Sequence, residues 1–439
     1  MFDTICAIAS GNINQAISII RLVGPDALTI IKKIFQGKIG TNKTIEYGFI
    51  VDQNHQKIDE VLVSFFLGQD NFVGEPTIEI NAHGGIVVTN RILDLIIAHG
   101  ARLAQPGEFT RRAYLNGKIS LIKAEAINEL IHARTIKQQD LAINAFSGKK
   151  AELVEQFLQK LEYLIGLCEI NIDYPEYDDI PVLKNETFNQ EIASLKAKLT
   201  EIVKISEANL VYLKPLNIAI VGKPNAGKSA LLNAIVNEDK SIVTSIAGTT
   251  RDVIESEITF NNFLLKFKDT AGIHQSDNEI EQIGIAKSWQ VIAQADVILH
   301  VIDSTVGWLP IDEQIAKEAA KKHYLQLWNK ADQLKTFVAN RLYISALNKD
   351  LKALETALEA LFQIHSVDAN WIFNQRQTAC LKKALNALID AEQAINQAHT
   401  YDVVILDLQQ CWQALKEING AVDQEELLDS IFKNFCLGK

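Results

Sequence analysis

The segment Gly222-Lys223-Pro224-Asn225-Ala226-Gly227-Lys228-Ser229 joins the apolar run Leu216 to Val221 to a helical pattern. Its glycines let backbone N–H groups turn inward, Lys228 supplies a point charge, and Ser229 offers a hydroxyl to Mg2+. These are the parts that hold the phosphates of a nucleoside triphosphate. Asn225, Ala226, Gly227, Lys228, Ser229 and Ala230 are the phosphate-side candidates. Four further segments follow in chain order: Ala247-Gly248-Thr249-Thr250-Arg251, Asp269-Thr270-Ala271-Gly272, Asn329-Lys330-Ala331-Asp332 and Ser345-Ala346-Leu347. Thr250 is the natural partner of Ser229 on Mg2+, Asp269 holds the metal through water, and Gly272 offers its N–H to the γ-phosphate. Asp332 can accept from both N1 and the exocyclic amine of guanine, a donor pair that adenine lacks. A site built on such a pair rejects the wrong partner by roughly 10⁴-fold or more, so the expected nucleotide is GTP rather than ATP.

Hydrolysis needs a group that orients water. A Ras-like enzyme has glutamine directly after the Asp-Thr-Ala-Gly segment; this chain has Ile273, whose aliphatic side chain cannot do so. Glu281 is the nearest downstream candidate, although by residue type alone a solvated carboxylate on a helix face is the plainer reading. Arg251 fits an arginine finger and a structural salt bridge equally well. The amide oxygen of Asn225 offers another source of positive charge, because it can help hold a monovalent cation beside the phosphates. Backbone carbonyls from Thr244, Ser245, Ile246, Ala247, Gly248 and Thr249 can wrap the same ion. An arginine finger in that place contributes roughly 10³ to 10⁵ in rate, so a K+ requirement is expected.

Residues 216 to 362 must position these groups, and they alternate strand and helix patterns. Ile218 to Val221, Phe263 to Phe267, Val297 to Ile302, Tyr324 to Trp328 and Leu342 to Ile344 read as buried strands of a mostly parallel sheet. The phosphate site then falls at the C-terminal edge of that sheet. On either side the period becomes 3.6. Val154, Phe157, Leu158, Leu161, Leu164, Ile165 and Cys168 form one stripe, and Ile192, Leu195, Leu199, Ile202 and Val203 a second. Leu381, Leu385, Leu388 and Ile389 form a third, and Leu408, Cys411, Trp412, Leu415 and Ile418 a fourth. The expected fold is multidomain α/β plus α. A helical domain (119–213 and 371–439) carries an inserted Ras-like P-loop domain (214–370), with Lys214-Pro215 as the entry hinge. Ahead of both lies a small α/β domain, residues 1–118, with strands at Ala16 to Leu22, Glu46 to Val51, Glu60 to Leu67 and Thr77 to Asn81 and a helix at Val87 to His99. His83-Gly84-Gly85 reads as a plain glycine turn. Arg111-Arg112 with Lys118 reads as a solvated basic face, and the stretch Pro106 to Lys118 is too dense in aromatics and charges for a simple loop.

The chain has 439 residues, 48% of them hydrophobic, and a formal net charge of −11. That balance argues against a general polyanion binder, so any nucleic-acid contact must be local or shared with a partner. No apolar run approaches membrane-spanning length, and no membrane association is expected. Its five cysteines show no paired spacing, which fits a reducing cytoplasm.

On these motifs the chain resembles the tRNA-modifying GTPase family MnmE (TrmE), which acts on the wobble uridine. The resemblance is carried by Asp3-Thr4-Ile5, Gly74 to Gly85, Pro106 to Lys118, Ile172-Asp173-Tyr174-Pro175-Glu176, the five nucleotide segments and the terminal Phe435-Cys436-Leu437-Gly438-Lys439. It implies a homodimer whose N-terminal domains bind 5-formyltetrahydrofolate or a related folate. It also implies a flavoprotein partner, MnmG (GidA), with FAD on that partner. Together they would add aminomethyl or carboxymethylaminomethyl groups at C5 of the uridine. The implied folate contacts are Arg21, Glu79, Lys118 and Lys439. The implied K+ ligands are Asn225, Thr244, Ile246 and Thr249, Mg2+ falls to Ser229 and Thr250, and Glu281 lies at the family's water-orienting glutamate. Cys436 lies at the family's terminal cysteine. Two departures, Ser10-Gly11-Asn12-Ile13-Asn14-Gln15 in place of a glycine- and proline-rich turn and His274 in place of arginine, are expected to alter dimer or switch behaviour before activity. The competing reading is a ribosome-assembly GTPase switch, which shares the Lys-Pro-Asn phosphate loop but calls for a basic RNA-binding module.

Overall fold

The computed structural model describes residues 3–173, 185–238, 257–267, 292–320, 322–362, 371–397, 399–420, 425–433, 435, 436 and 438. Contacts gather the chain into two compact units. One comprises Met1–Ile131, Ala145–Ile170 and Leu408–Lys439; the other comprises His132–Asn144 and Asn171–Asp407.

The N-terminal region opens with β1 (Ile5–Ile8), β2 (Ile17–Val23), α1 (Ala27–Ile34), β3 (Phe35–Gly37), β4 (Thr44–Val51) and β5 (Lys57–Phe66). It continues with β6 (Thr77–His83), α2 (Ile86–Ala98), β7 (Arg102–Leu103) and α3 (Glu108–Leu115). Its seven strands form one sheet in the order β3-β4-β5-β6-β2-β1-β7, antiparallel except for β1 with β7. Alternation decides the faces. Val61, Val63 and Phe65 of β5 and Ile78, Ile80 and Ala82 of β6 point inward with Ile30, Ile31 and Ile34 of α1 and Ile92 and Ile96 of α2. The opposite face carries Arg21 opposite Glu79. Four strands and α2 lie within a few residues of their expected places; β1, α1, β3, β7 and α3 are additions. At the altered turn, Gln15 donates to the Gly11 carbonyl (2.8 Å) and to Ser10 Oγ (3.1 Å), so local hydrogen bonds close it without proline.

Helices α4 (Leu121–His132), α5 (Ile136–Ala145), α6 (Lys149–Asp173) and α7 (Asn185–Leu213) follow. The apolar stripes of α6 and α7 are buried as their 3.6 period requires, from Val154 to Cys168 except for the half-buried Ile165, and from Ile192 to Val203. Next come β8 (Leu216–Val221), α8 (Lys228–Glu238), β9 (Glu257–Phe260), β10 (Phe263–Phe267), β11 (Val297–Asp303), α9 (Pro310–Ala319), β12 (His323–Asn329), β13 (Leu342–Tyr343) and α10 (Lys352–Leu361). The six strands order as β13-β12-β11-β8-β10-β9. All pairs are parallel except β9 with β10. That edge hairpin turns on Asn261-Asn262, with Asn261 at φ 52 supplying the left-handed corner. Strand β9 is the one strand of this sheet absent from the sequence expectation. Helices α11 (Gln375–Asn396), α12 (Tyr401–Asn419) and α13 (Glu425–Phe432) complete the described chain. Alanines 384, 387 and 391 of α11 are buried, and α7 packs closely on this helix.

Candidate functional site

The phosphate loop leaves β8 at Val221 and enters α8 at Lys228, at the C-terminal edge of the parallel sheet. Three residues take left-handed backbone: Gly222 (φ 145), Asn225 (φ 61) and Gly227 (φ 99). Gly222 and Gly227 are also forced to lack a side chain. A Cβ at Gly222 would overlap the Val301 carbonyl of β11, and one at Gly227 would overlap the Asn329 amide. Lys228 Nζ donates to the carbonyls of Gly222 (2.9 Å) and Lys223 (2.8 Å), folding over the loop it serves. Asn225, Ser229 and Ala230 are exposed and Ala226 is buried. An accessible hydroxyl and amide oxygen suit cation ligands, and the first N–H groups of α8 have no preceding helical carbonyl to satisfy them.

The base-side segments are joined to this loop through one side chain. Asn329 ends β12, buried; its Nδ2 donates to the Ala226 carbonyl (2.9 Å), and its Oδ1 accepts from Ala346 N–H (3.0 Å). Asp332 Oδ1 accepts from Ser345 Oγ at 2.6 Å. Lys330, at φ 64, pairs its Nζ with Asp303 Oδ2 at 2.7 Å. Burial works to raise the Asp303 carboxyl. The Lys330 ammonium and two hydrogen bonds from Thr305 outweigh it, leaving the carboxyl below the usual range. The structure thus brings Ala226, Gly227, Asn329, Lys330, Asp332, Ser345 and Ala346 together. Asp303 is a member that motif reading missed; its signal was a carboxylate closing the apolar run Val297 to Ile302.

Thr244, Ser245, Ile246, Ala247, Gly248, Thr249, Thr250, Arg251, Asp269, Thr270, Ala271, Gly272, Ile273, His274 and Glu281 lie outside the described residues, as does Lys439.

In the N-terminal sheet, Arg21 donates through Nε to Glu79 Oε1 (2.8 Å) and through NH1 to the Gly438 carbonyl (3.2 Å), with its guanidinium 5.5 Å from the Phe109 ring centre. Both partners of the pair are about one-fifth exposed, at 20% and 22%. A carboxylate, a guanidinium and an aromatic face suit a flat polar heterocycle with an anionic tail. The exposed Lys118 lies over Gly74, and Cys436 is half-buried, its carbonyl accepting from Gly107 N–H (3.3 Å). The solvated-face reading of Arg111-Arg112 is corrected. Arg112 is 2% exposed and holds Asp3, Glu75 and Glu108, while Arg111 pairs with Asp429. Three acidic side chains around a buried guanidinium turn what looks like a basic patch into an ion network.

Fold and site together define a P-loop GTPase. Comparison with known proteins carries the assignment further. A family model described as the MnmE helical domain matches residues 121–436, and one described as the GTP-binding protein TrmE N-terminus matches residues 4–118. The chain is 49% identical to the tRNA modification GTPase MnmE of Mycoplasma mobile over 442 residues, covering 100% of each. It is 38% identical to that of Bacillus cereus over 456 residues, again covering 100% of each. Among solved structures, Era in complex with MgGDPNP and 16S ribosomal RNA is 26% identical over 40% of this chain and 67% of its own, with a TM-score of 0.26. The chain belongs to the MnmE family of tRNA modification GTPases.

Proposed function

We propose that this chain hydrolyses GTP and acts in the modification of tRNA, adding aminomethyl or carboxymethylaminomethyl groups to C5 of the wobble uridine together with the flavoprotein MnmG. Full-length kinship to MnmE proteins supports the reaction. The observation that carries the nucleotide reading is Asn329, which ties the phosphate loop to the turn bearing Ala346 while Asp332 stands in hydrogen-bond contact with Ser345.

In this reading Asp332 accepts from N1–H and the amine of guanine, Lys228 moves from its loop carbonyls to the terminal phosphate oxygens, and Asn225 turns its amide oxygen toward the β- and γ-phosphates. Ser229 and Thr250 would hold Mg2+, and Asn225, Thr244, Ile246 and Thr249 would hold K+; bound there, the ions supply charge neutralisation. Glu281 would orient the attacking water. Arg21, Glu79, Lys118 and Lys439 would bind a folate, and Cys436 belongs to the same C-terminal segment as Gly438. The protein works as a cytoplasmic homodimer in three parts, 1–118, 119–213 with 371–439, and 214–370, in which closure of the nucleotide domain is coupled to the modification.

Nucleoside mass spectrometry of tRNA from cells lacking this protein tests the reaction. Loss of the modified wobble uridine is expected, and unchanged wobble uridine would favour a ribosome-assembly switch. Turnover of purified protein in KCl against NaCl tests the cation, and equal rates would remove it from the mechanism.

A further inference from the structure

We propose that Asp303 is a positioning residue for the guanine nucleotide, acting through its ion pair with Lys330 to set the lysine stem in the turn that carries Asp332 before the nucleotide arrives. This rests on the guanine reading above and deepens it.

Asp303 is the last residue of β11 and lies in register with Asn329, the last residue of β12. Its orientation is fixed several times over. Oδ1 accepts from Thr305 N–H (2.9 Å) and Thr305 Oγ1 (2.6 Å), and Oδ2 accepts from Lys330 Nζ (2.7 Å). Its carbonyl accepts from the N–H groups of Val306 (3.1 Å) and Gly307 (2.9 Å). The neighbouring Ser304 N–H donates to the Asn329 carbonyl (3.0 Å). The Asp303 side chain is 7% exposed and that of Lys330 is 31% exposed. A carboxylate so nearly dry needs a cation, and Lys330 is the cation in contact with it.

Lys330 has two constraints that a surface lysine lacks. Its left-handed backbone turns the chain out of β12, and the far end of its side chain is held by Asp303. A lysine stem free in water samples many rotamers, and ordering it during binding weakens affinity. With the ammonium already held, the stem stands in place in the turn that also carries Asp332. The alternative role for Asp303 is to close the 303–307 turn through Thr305, with no bearing on the nucleotide. The two roles use different oxygens, so substitution separates them.

The experiment measures fluorescent GDP binding to the full-length chain by titration and dissociation rate, with thermal unfolding followed in parallel. Asp303→Ala is expected to bind GDP roughly tenfold more weakly, the order of one charge-assisted hydrogen bond. Asp303→Asn keeps the size and the Thr305 contacts while removing the charge, and is expected to show a similar loss with a melting temperature near wild type. Thr305→Ala is expected to leave GDP affinity within about twofold. Lys330→Ala and the double variant Asp303→Ala/Lys330→Ala are expected to bind equally weakly, since Asp303 has nothing to act through once the ammonium is gone. Binding by Asp303→Asn within twofold of wild type, or losses that multiply in the double variant, overturns the proposal. Wild-type protein that fails to bind guanine nucleotides at all overturns the site reading beneath it instead.

Discussion

Asn329 donates its side-chain amide to the carbonyl of Ala226 across 2.9 Å, so the turn from Asn329 to Asp332 and the loop from Gly222 to Ser229 share one buried strut. The same side chain accepts from Ala346 N–H, which makes its removal a double loss. Asn329→Ala leaves one buried carbonyl and one buried N–H unpaired. We expect unfolding free energy in urea to fall by about 2 to 4 kcal/mol and GDP affinity to fall by roughly a hundredfold or more. A variant that keeps wild-type GDP affinity would show that the two loops are positioned independently.

Gly227 is held at φ 99 with the Asn329 amide directly against it. Gly227→Ala adds left-handed strain of about 1 to 2 kcal/mol and pushes on that amide, so nucleotide binding should be lost while far-ultraviolet circular dichroism stays close to wild type. By contrast, Gly85 has open space around an added Cβ and an ordinary backbone angle. Gly85→Ala is expected to change stability by less than about 1 kcal/mol. Equal effects at the two glycines in parallel titrations and urea melts would contradict the packing argument.

Arg112 is buried against Asp3, Glu75 and Glu108, and Arg102 shares Asp3 and Glu108 from the other side. Removing the central cation leaves the mostly buried carboxylates of Glu75 and Glu108 short of a partner, so Arg112→Met is expected to destabilise the N-terminal region by about 3 kcal/mol. The pH dependence follows from the carboxyls. Hydrogen bonds from Arg102 hold Asp3 below its ordinary value of 3.8. For Glu108, burial works upward, but Arg102, the Gln105 N–H and Arg112 prevail and the carboxyl sits below 4.5. The folded state therefore binds these protons more weakly than the unfolded chain. Their stabilisation is complete above about pH 4.5 and is lost as pH falls through the folded values. Urea melts of wild type and Arg112→Met between pH 3 and 6 should converge at the acid end; a constant difference would count against the network.

His300, fully buried in β11, lies between Asp312 (Nε2 to Oδ1, 3.0 Å) and Tyr324 (Nδ1 to OH, 2.6 Å), with the Trp308 ring beside it. Burial lowers its basicity more than Asp312 raises it, so the ring stays neutral below the usual 6.5. An unfolded chain takes up a proton there first. Stability from this group is thus level above about pH 6.5 and declines as pH falls below it. His300→Gln should flatten that decline, and His300→Ala should cost about 2 to 3 kcal/mol by leaving Asp312 and Tyr324 without their shared partner. A pH profile of unfolding identical in wild type and His300→Gln would refute the assignment.

Sequence and tertiary structure contributed differently to these conclusions. Five strands between Leu216 and Tyr343 were legible from their short apolar runs, continuous in β11, which is buried along its whole length, and the stripes of α6, α7, α11 and α12 because a helix with one covered face repeats every 3.6 residues. Strand β9 was not, since four residues at an antiparallel edge carry too little pattern; nor was β1, a short run with no turn signal ahead of it. Gly227, Lys228, Asn329, Lys330 and Asp332 stood out as candidates by type and spacing alone, because a phosphate and a guanine would each call for particular groups. What those residues touch was beyond the reach of spacing. That Asn329 supports Ala226, that Asp303 anchors Lys330, and that Arg112 is a buried hub rather than a wet surface all depend on segments far apart in the chain lying side by side. A linear pattern records which groups are available and how often they recur. Which of them meet, and which lose their water in doing so, is settled only when the chain has closed around them.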